Sequence, residues 1–333
     1  MKLQILIPQY NETEQGIKPL LDSIQIQQGV NFSEQIGVVI VNDGSSTFLS
    51  KKFLSQYSFP IEYHKDEHRG IAGTRNALLD YAKADYVMFC DADDMFGSMV
   101  AIYSFLRSIN EGGFDELISY FYSEIYMENG ALIFNENTRI IHPFIHGKVY
   151  NRKYLVDNNI RFNTTVKYHE DVYFSFIAHS CAGTVKLLQQ YAYIWKSNPN
   201  SITHSDNFSI KNYPDSLKSI ELACDELIQR NKEQDARFYF ACCMFNTYFF
   251  MHQDSWLAQK NSFYWNRDCI GIQKLWNKYG ALLFDSADQE WIDKIWQDTL
   301  KTSVPDETLW ATFEPFKDWL NEILTGEYED DED

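Results

Sequence analysis

The stretch YVMFCDADD, residues 86–94, places three carboxylates within four positions directly after an apolar run of strand type. Carboxylates this close together repel one another, and the pKa of at least one of them rises unless a cation lies among them. Asp91 and Asp93, separated by Ala92, carry the hard oxygen ligands that divalent cations prefer. We therefore expect a strand over residues 86–89, a divalent cation at its carboxyl end, and Asp94 as the cap of the following helix.

Strand and helix patterns alternate upstream of this stretch. Residues 3–7 (LQILI), 36–41 (IGVVIV) and 61–64 (IEYH) have the character of strands, whereas residues 15–27 and 71–83 have apolar side chains at helical spacing. A further helical stretch is predicted near residues 47–57. Such alternation is typical of a mostly parallel sheet with helices on its faces. The predicted fold class is therefore α/β.

The pattern changes after residue 115. The segments ELISYFYSEIYM (116–127) and ALIFN (131–135) read as two strands joined by a short turn, which predicts an antiparallel addition to the sheet. From about residue 214 onward the sequence is all helical in character and rich in aromatic residues. We predict an α/β domain over residues 1–210, an all-helical domain over 211–326 and a disordered acidic tail over 327–333.

Composition excludes several classes of protein. The formal net charge of −18 repels polyanions, so a nucleic-acid partner would require a local basic patch. The six cysteines contain no C-x-x-C pair, which indicates reduced thiols. Pro8 interrupts the short apolar run at the N-terminus, and no later stretch approaches the roughly 20 apolar residues of a membrane span. These features predict a cytoplasmic protein, at most peripheral to the inner face of the membrane, without a transmembrane segment.

Polar motifs follow three of the predicted strands: PQYNE (8–12), NDGSS (42–46) and DADD (91–94). Taken singly, each has an ordinary explanation as a turn or a helix cap. Because the carboxyl ends of parallel strands meet at one edge of a sheet, the three together indicate a ligand site there. Tyr10 offers a flat face to a base, and Asp43 can accept the imide N–H of uracil. Glu12 or Asp91 can accept ribose hydroxyls.

The segment EHRGIAGTRNALLDYAKA (67–84) has glycines at a loop-to-helix junction, followed by Thr74, Arg75 and Asn76. One interpretation is an ordinary helix start with a surface arginine. The other is a backbone that closes over a nucleotide, with Arg75 held against the acidic edge or the ligand. The residues alone favour neither. The G-x-G-x-x-G pattern is absent after the first strand, which argues against a nicotinamide or flavin enzyme.

In order and spacing, these stretches resemble glycosyltransferase family 2, whose members have the GT-A fold and use nucleotide-diphosphate sugars. The family's apolar strand followed by P-x-Y-N is matched by ILIPQYNE, and its D-D-G-S motif by VVIVNDGSS, with Asn42 in place of the first aspartate. Its N-x-G-x-x-x-A-R-N motif is matched loosely by HRGIAGTRN, from which His68 and Thr74 depart, and its metal-binding D-x-D by YVMFCDADD.

The resemblance implies a catalytic GT-A domain over residues 1–210 that binds a nucleotide sugar. It also implies that Asp93 and Asp91 bind the metal, Mn²⁺ or Mg²⁺. The nucleotide-sugar contacts that the matched motifs imply are Pro8, Tyr10, Glu12, Asp43, Arg75, Asp91 and Ala92.

The resemblance continues more thinly to about residue 205. In YHEDVYF (168–174) it implies Asp171 as the general base and Glu170 as its acidic neighbour, although an acidic pair is also favoured at the start of any helix. YIWKSNPNSITHS (193–205) resembles the diphosphate-binding region of wall teichoic acid glycosyltransferases. This match implies Lys196 and Ser201 near the diphosphate and His204 on the metal, although His204 can equally be a loop residue. His146 and Lys148 are weaker candidates for the acceptor pocket.

The reaction implied is transfer of a sugar, with inversion, from a UDP-sugar to a hydroxyl of a cell-surface glycan or polymer. One alternative is a phage-type enzyme that glycosylates a hydroxymethylated base in DNA, which would need a basic patch. Further alternatives are a non-catalytic GT-A-like binding module and a nucleotidyltransferase. The donor sugar, the acceptor and the oligomeric state stay open. The candidate basic patch consists of Lys148, Arg152, Lys153, Arg161 and Lys167.

Overall fold

A computed structural model describes residues 1–126, 130–138, 143–198, 208–284, 289–303 and 314–329. The chain divides into two compact units, Met1–His204 and Ser205–Asp333. We call the first the α/β unit and the second the helical unit. The domain boundaries given above remain predictions. Among the described residues, no helix is both long enough and apolar enough to cross a membrane.

The α/β unit is built on one mixed sheet, whose order is β3-β2-β1-β4-β8-β6-β9-β5, with β7 paired to β6. The strands are β1 (Leu3–Gln9), β2 (Ile36–Asp43), β3 (Ile61–Asp66), β4 (Tyr86–Phe89), β5 (Met95–Phe96), β6 (Glu116–Tyr126), β7 (Leu132–Asn137), β8 (Lys148–Asn151) and β9 (Val185–Trp195). Its helices are α1 (Glu14–Gln25), α2 (Phe32–Gln35), α3 (Lys51–Leu54), α4 (Gly70–Tyr81), α5 (Ala101–Glu111), α6 (Arg152–Asp157) and α7 (Glu170–Cys181).

The four strands β3, β2, β1 and β4 are parallel, with Pro8 opposite Val41 and Leu6 opposite Phe89. This register brings the carboxyl ends of β1, β2 and β4 to one edge. Beyond β4 the sheet becomes mostly antiparallel, since β8 runs against both β4 and β6. The predicted α/β fold class, a parallel core with an antiparallel addition and a helical region after it, is confirmed.

Burial explains why the parallel core forms as the apolar runs predict. Every residue of β1 and β2 is buried, as expected for strands covered by helices on both faces. Helix α1 starts where the Thr13 hydroxyl accepts a hydrogen bond from the Gly16 N–H, and it turns Ile17, Leu20 and Leu21 toward the sheet. The result is a rigid frame that fixes the loops after β1, β2 and β4.

The helical unit contains α8 (Phe208–Gln229), α9 (Glu233–Met251), α10 (Asp254–Leu257), α11 (Phe263–Phe284), α12 (Gln289–Ser303) and α13 (Glu314–Thr325). Its aromatic residues pack against one another. Phe245, Trp296 and Phe316 are buried and meet at ring-centroid distances of 5.0–6.0 Å. The aromatic side chains noted in the sequence therefore build a core here.

Candidate active site

The first part of the site lies at the carboxyl ends of β1 and β2. Tyr10 is exposed, and its ring lies 4.8 Å from that of His68 at an interplanar angle of 33°. Beneath them Asp43 is buried. One of its oxygens accepts the Arg69 N–H at 2.8 Å, and the other lies 3.0 Å from Nδ1 of His68. Two rings over a carboxylate form a suitable seat for a planar base. His68, a departure from the family motif, is thus part of this arrangement.

Asn42, the other departure at this end, has a structural role. Its side-chain amide donates to Gln9 at 2.9 Å and to the Tyr63 hydroxyl at 3.1 Å, and its oxygen accepts the Ser45 N–H at 2.9 Å. These bonds tie the loop after β2 to the end of β1. An aspartate would lack the two amide donors, which explains why the asparagine suits this position.

Glu12 faces the DADD segment from the end of β1. Its Oε2 accepts the Tyr10 N–H at 2.5 Å. Burial, together with the charges of Asp93 and Asp91, raises the pKa of Glu12 to about 7 against the backbone hydrogen bonds that lower it. Glu12 therefore lies within electrostatic reach of these aspartates, and the edge carries an excess of negative charge. Pro8, inside β1, and Ala92 are buried beside these groups.

The three aspartates of DADD have different partners. Asp91 accepts a hydrogen bond from Arg75 at 2.7 Å, and Asp93 accepts one from Asn198 at 2.9 Å. Asp94 is fully buried and accepts hydrogen bonds from the Tyr193 hydroxyl at 2.6 Å and from the Lys196 N–H at 2.9 Å.

The expectation that Asp94 caps the next helix is wrong. Helix α5 starts only at Ala101, its N-cap is Val100, and no side chain caps it. The short strand β5 follows DADD directly, so Asp94 is carried into the interior of the sheet.

Asp94 instead joins a cluster with Asp91 and His146. One ligand atom from each of these residues lies within 4.8 Å of the others. Nδ1 of His146 is buried, 3.8 Å from Asp94 Oδ2, and has no hydrogen-bond partner among the described residues. Burial lowers the pKa of His146, which keeps a lone pair available. Burial and the charges of Asp91 and Asp93 raise the pKa of Asp94 well above its usual range.

These residues fit a divalent cation. Two carboxylates and a neutral imidazole are a ligand set that such ions accept, and a positive charge here would reverse the rise in the pKa of Asp94. Asp93 does not belong to this cluster, and His204 and Ser201 lie outside the described residues. The assignment of the metal to Asp93, Asp91 and His204 therefore stays a prediction.

Arg75 connects the carboxylates of β4 with those of α7. It is buried and pairs with Asp91 at 2.7 Å and with Glu170 Oε1 at 2.5 Å. Against the effect of burial, the charges of Asp91, Glu170 and Asp171 raise the pKa of Arg75, so the guanidinium stays ionised. Burial raises the pKa of Glu170 to about 7; Arg75 opposes this rise and Asp171 adds to it.

Asp171 is half-buried on the first turn of α7, and its Oδ1 accepts the Val172 N–H at 2.9 Å. Its negative charge reaches Arg75, Glu170 and His146. The structure thus brings Asp171 within electrostatic reach of Arg75 and His146. In sequence, 77 positions separate it from Asp94 (171 − 94).

Glu116 pairs with Lys148 and with His179 of α7, an arrangement that the sequence did not predict. Lys148 Nζ lies 3.6 Å from Glu116 Oε1, and Glu116 Oε2 lies 2.6 Å from His179 Nδ1. Lys148, proposed above for the acceptor pocket or a basic patch, is therefore buried in the sheet. The available signal was Glu116 itself, a charged residue at the start of an apolar strand segment.

Lys196 contributes to the site through its backbone, whose N–H binds Asp94. Several other residues complete the site without having been singled out in the sequence. Tyr193 and Asn198 hold Asp94 and Asp93, and Phe162 contacts Arg75. The sequence did not reveal these roles, because the partners of the three residues are distant from them in sequence.

Comparison with known proteins identifies the class. Residues 4–168, about half of the chain, match the family described as Glycosyl transferase family 2, and this part of the chain belongs to that family. The match covers the strand-end motifs and the segment leading into α7, and the resemblance noted in the sequence is confirmed.

Two curated proteins are similar to this chain in sequence. The chain is 26% identical over 213 residues to the poly(ribitol-phosphate) beta-N-acetylglucosaminyltransferase TarS of Staphylococcus aureus, covering 59% of this chain and 35% of that protein. It is 26% identical over 189 residues to the minor teichoic acid biosynthesis protein GgaA of Bacillus subtilis, covering 51% and 41%. The chain thus spans well under half the length of these curated relatives.

Solved structures extend the likeness in fold. The crystal structure of S. aureus TarS 1–349 in complex with UDP-GlcNAc has a TM-score of 0.64 at 19% identity, covering 90% of this chain and 89% of that one. A mannosyltransferase from Pyrobaculum calidifontis in complex with GDP-Man and Mn²⁺ has a TM-score of 0.50 at 12% identity, covering 97% and 84%. At these identities the likeness concerns the fold.

Proposed function

We propose that this protein is an inverting, metal-dependent glycosyltransferase that moves a sugar from a UDP-sugar to an acceptor hydroxyl. One observation carries the proposal: the Tyr10–His68 seat over Asp43, the Asp91–Asp94–His146 cluster and the Glu170–Asp171 pair all border one edge of the sheet. The first group suits the base of a nucleotide, the second suits a metal-bound diphosphate, and the third suits a reacting hydroxyl.

UDP-GlcNAc is the first donor to test. TarS is named as an N-acetylglucosaminyltransferase and has been crystallised with UDP-GlcNAc, and the fold of this chain follows it over nine-tenths of its length. The acceptor that we propose is a hydroxyl of a cell-surface glycan or polymer, in line with the names of TarS and GgaA. We expect the matched motifs to contact the nucleotide rather than the sugar ring, so experiment must identify the donor sugar.

The mechanism that we propose is an in-line displacement at the anomeric carbon. Asp171 takes the proton from the acceptor hydroxyl as that oxygen attacks, and the bond to the diphosphate breaks on the opposite side of the sugar. A divalent cation bound at the DADD segment would neutralise the charge that develops on the departing diphosphate. Asp91, Asp94 and His146 would hold it, with Asp93 and His204 as the ligands predicted from the motif.

Nucleic acid is disfavoured as the acceptor. Of the residues considered for a basic patch, Lys148 is buried against Glu116, Lys153 pairs with Asp157, and Arg161 pairs with Asp80 at 2.7 Å. Pairing with carboxylates cancels the local positive charge that duplex DNA would need. A non-catalytic module is disfavoured by the acidic residues that the site retains.

A UDP-release assay tests the proposal. The purified full-length protein is incubated with a panel of UDP-sugars, with Mn²⁺, with Mg²⁺ or with EDTA. We expect slow, metal-dependent release of UDP that accelerates when cell-envelope extract supplies an acceptor. Absence of both UDP binding and UDP release with every sugar and metal would refute the proposed function.

A further inference from the structure

We infer that Arg75 and Asn76 form a clamp that positions the start of α7, and with it Asp171, relative to the aspartates after β4. Arg75 in this reading is a positioning residue and not a ligand of the nucleotide. The inference deepens the proposed function and rests on it for the role of Asp171. The contacts that carry it lie entirely within the α/β unit.

The first contact is ionic. The guanidinium of Arg75 donates to Asp91 on the donor side and to Glu170 at the start of α7, at 2.7 and 2.5 Å. Only about 4% of Arg75 is exposed, so little of it is available to a phosphate. A buried arginine between two carboxylates has a planar fork that fixes both of them at once, which lysine cannot do.

The second contact is a pair of hydrogen bonds from Asn76. Its amide donates to the carbonyl of Phe162 at 2.9 Å, and its oxygen accepts the Phe162 N–H at 2.9 Å. A side-chain amide that satisfies both backbone groups of one residue holds that residue as a neighbouring strand would. The two neighbours in the TRN segment of α4 thus hold two points of the chain leading into α7.

The third contact is aromatic. The Arg75 guanidinium lies 5.5 Å from the centroid of the Phe162 ring, and Phe162 stacks on Phe174 of α7 at 3.9 Å and 5°. Phe89, the last residue of β4, meets both rings edge-on at 5.1 and 5.7 Å. Helix α7 is therefore fixed against β4 by packing as well as by charge.

Together these contacts set the distance between the two halves of the site. Asp91 follows β4, whereas Glu170 and Asp171 lie at the start of α7. Without Arg75, the two carboxylates that it joins would lose their common partner, and the first turn of α7 would lose its attachment. The backbone at His169 makes this turn sensitive, because its φ of 66° lies in the left-handed region.

The test compares Arg75→Gln, Asn76→Ala and Glu170→Gln with the control Lys83→Gln. Lys83 forms an ion pair with Glu62 just after α4, and its side chain is 71% exposed. Hydrogen exchange is measured by mass spectrometry over residues 160–174, and UDP affinity by calorimetry with Mn²⁺. Neither readout requires turnover.

We expect exchange over residues 168–174 to accelerate about tenfold or more in the three clamp variants. UDP affinity should stay within about threefold of wild type in Asn76→Ala and Glu170→Gln, both of which keep the Arg75–Asp91 pair. Lys83→Gln should change neither. If Arg75→Gln does not fold, Asn76→Ala and Glu170→Gln carry the same prediction. Where UDP-sugar hydrolysis is measurable, kcat should fall with little change in KM.

Three results would overturn the clamp: a large loss of UDP affinity in Arg75→Gln with unchanged exchange, no change in either readout, or faster exchange spread evenly over the α/β unit. Failure of the proposed function looks different. Wild-type protein would then not bind UDP, while exchange at the start of α7 would still respond to the variants.

Discussion

Nδ1 of His146 lies 3.8 Å from Oδ2 of Asp94, too far for a hydrogen bond and with no other partner among the described residues. Both groups are buried, and 52 positions separate them in sequence (146 − 94). A neutral imidazole and a carboxylate at this separation leave space for a shared cation.

Replacing His146 should therefore weaken metal binding. In His146→Gln we expect Mn²⁺ affinity in the presence of UDP to fall by about 10- to 100-fold, as measured by electron paramagnetic resonance titration. His64→Gln is the control, because the His64 ring stacks on Tyr81 at 3.7 Å, away from the acidic cluster. Equal affinities for wild type and His146→Gln would remove His146 from the cation site.

Asp171→Asn should separate chemistry from binding. The asparagine keeps the shape of the side chain but cannot accept the proton, so we expect transfer to fall by about 10²- to 10⁴-fold. UDP affinity by calorimetry should stay near that of wild type. Asp157→Asn, which removes a carboxylate paired with Lys153 on α6, should change neither. Parallel losses of UDP binding and transfer in Asp171→Asn would contradict its role as the base.

Much of the fold could be predicted because its signals are local. The strands β1, β2 and β4 are apolar runs of a few residues, and the polar motifs after them meet because parallel strands share an edge. Helix α3 shows the limit. Sequence suggested a helix near 47–57, but only Lys51–Leu54 is helical, since the Ser50 side chain caps it by accepting the Phe53 N–H.

The candidate site could be predicted only in part, because its partners are distant in sequence. Arg75 and Glu170 are 95 positions apart, and Asp94 and Tyr193 are 99 apart. No periodicity links such pairs. The cap proposed for Asp94 was wrong because a short strand, whose two residues pair with β9, lies between DADD and α5.

Gly44→Ala should disrupt the nucleotide seat. Gly44 has a φ of 71°, and a Cβ there would lie 2.7 Å from the His68 backbone nitrogen. The loop would have to move away from His68 and loosen the Asp43–Arg69 bond, so we expect UDP affinity to fall by about tenfold, equivalent to about 1.4 kcal/mol.

Gly70→Ala is the matched control for this change. Gly70 has a φ of 75°, but a Cβ there would meet no atom within 4 Å. Both variants carry a similar backbone strain, of order 1 kcal/mol, so their difference isolates the clash with His68. Calorimetry with UDP and Mn²⁺ measures both. If the two variants lose affinity equally, His68 has no part in the seat.

The helical unit should become less stable as pH rises, because of Asp268. This residue is fully buried, and its Oδ2 has no hydrogen-bond partner among the described residues. Burial raises the pKa of Asp268 to about 7, although Arg267 opposes the rise. A folded-state pKa above the unfolded value of about 4 means that the protonated form favours folding. This contribution is complete below about pH 4 and is lost as pH rises through about 7.

Asp268→Asn should remove that dependence. Between pH 5 and pH 8 we expect the variant to gain on the order of 2 kcal/mol relative to wild type in the free energy of unfolding by urea. Tryptophan fluorescence follows this unit, because seven of the eight tryptophans lie after residue 205.

Asp225→Asn supplies a control of opposite sign in the same unit. Against the effect of burial, hydrogen bonds from Lys278 and Tyr279 lower the pKa of Asp225. The stability that its carboxylate contributes is therefore present above the unfolded pKa and lost in acid, below the range in which Asp268 titrates. In Asp225→Asn, the change in the free energy of unfolding between pH 5 and pH 8 should be the same as in wild type. The same pH dependence in wild type and Asp268→Asn would show that Asp268 is ionised in the folded protein throughout this range.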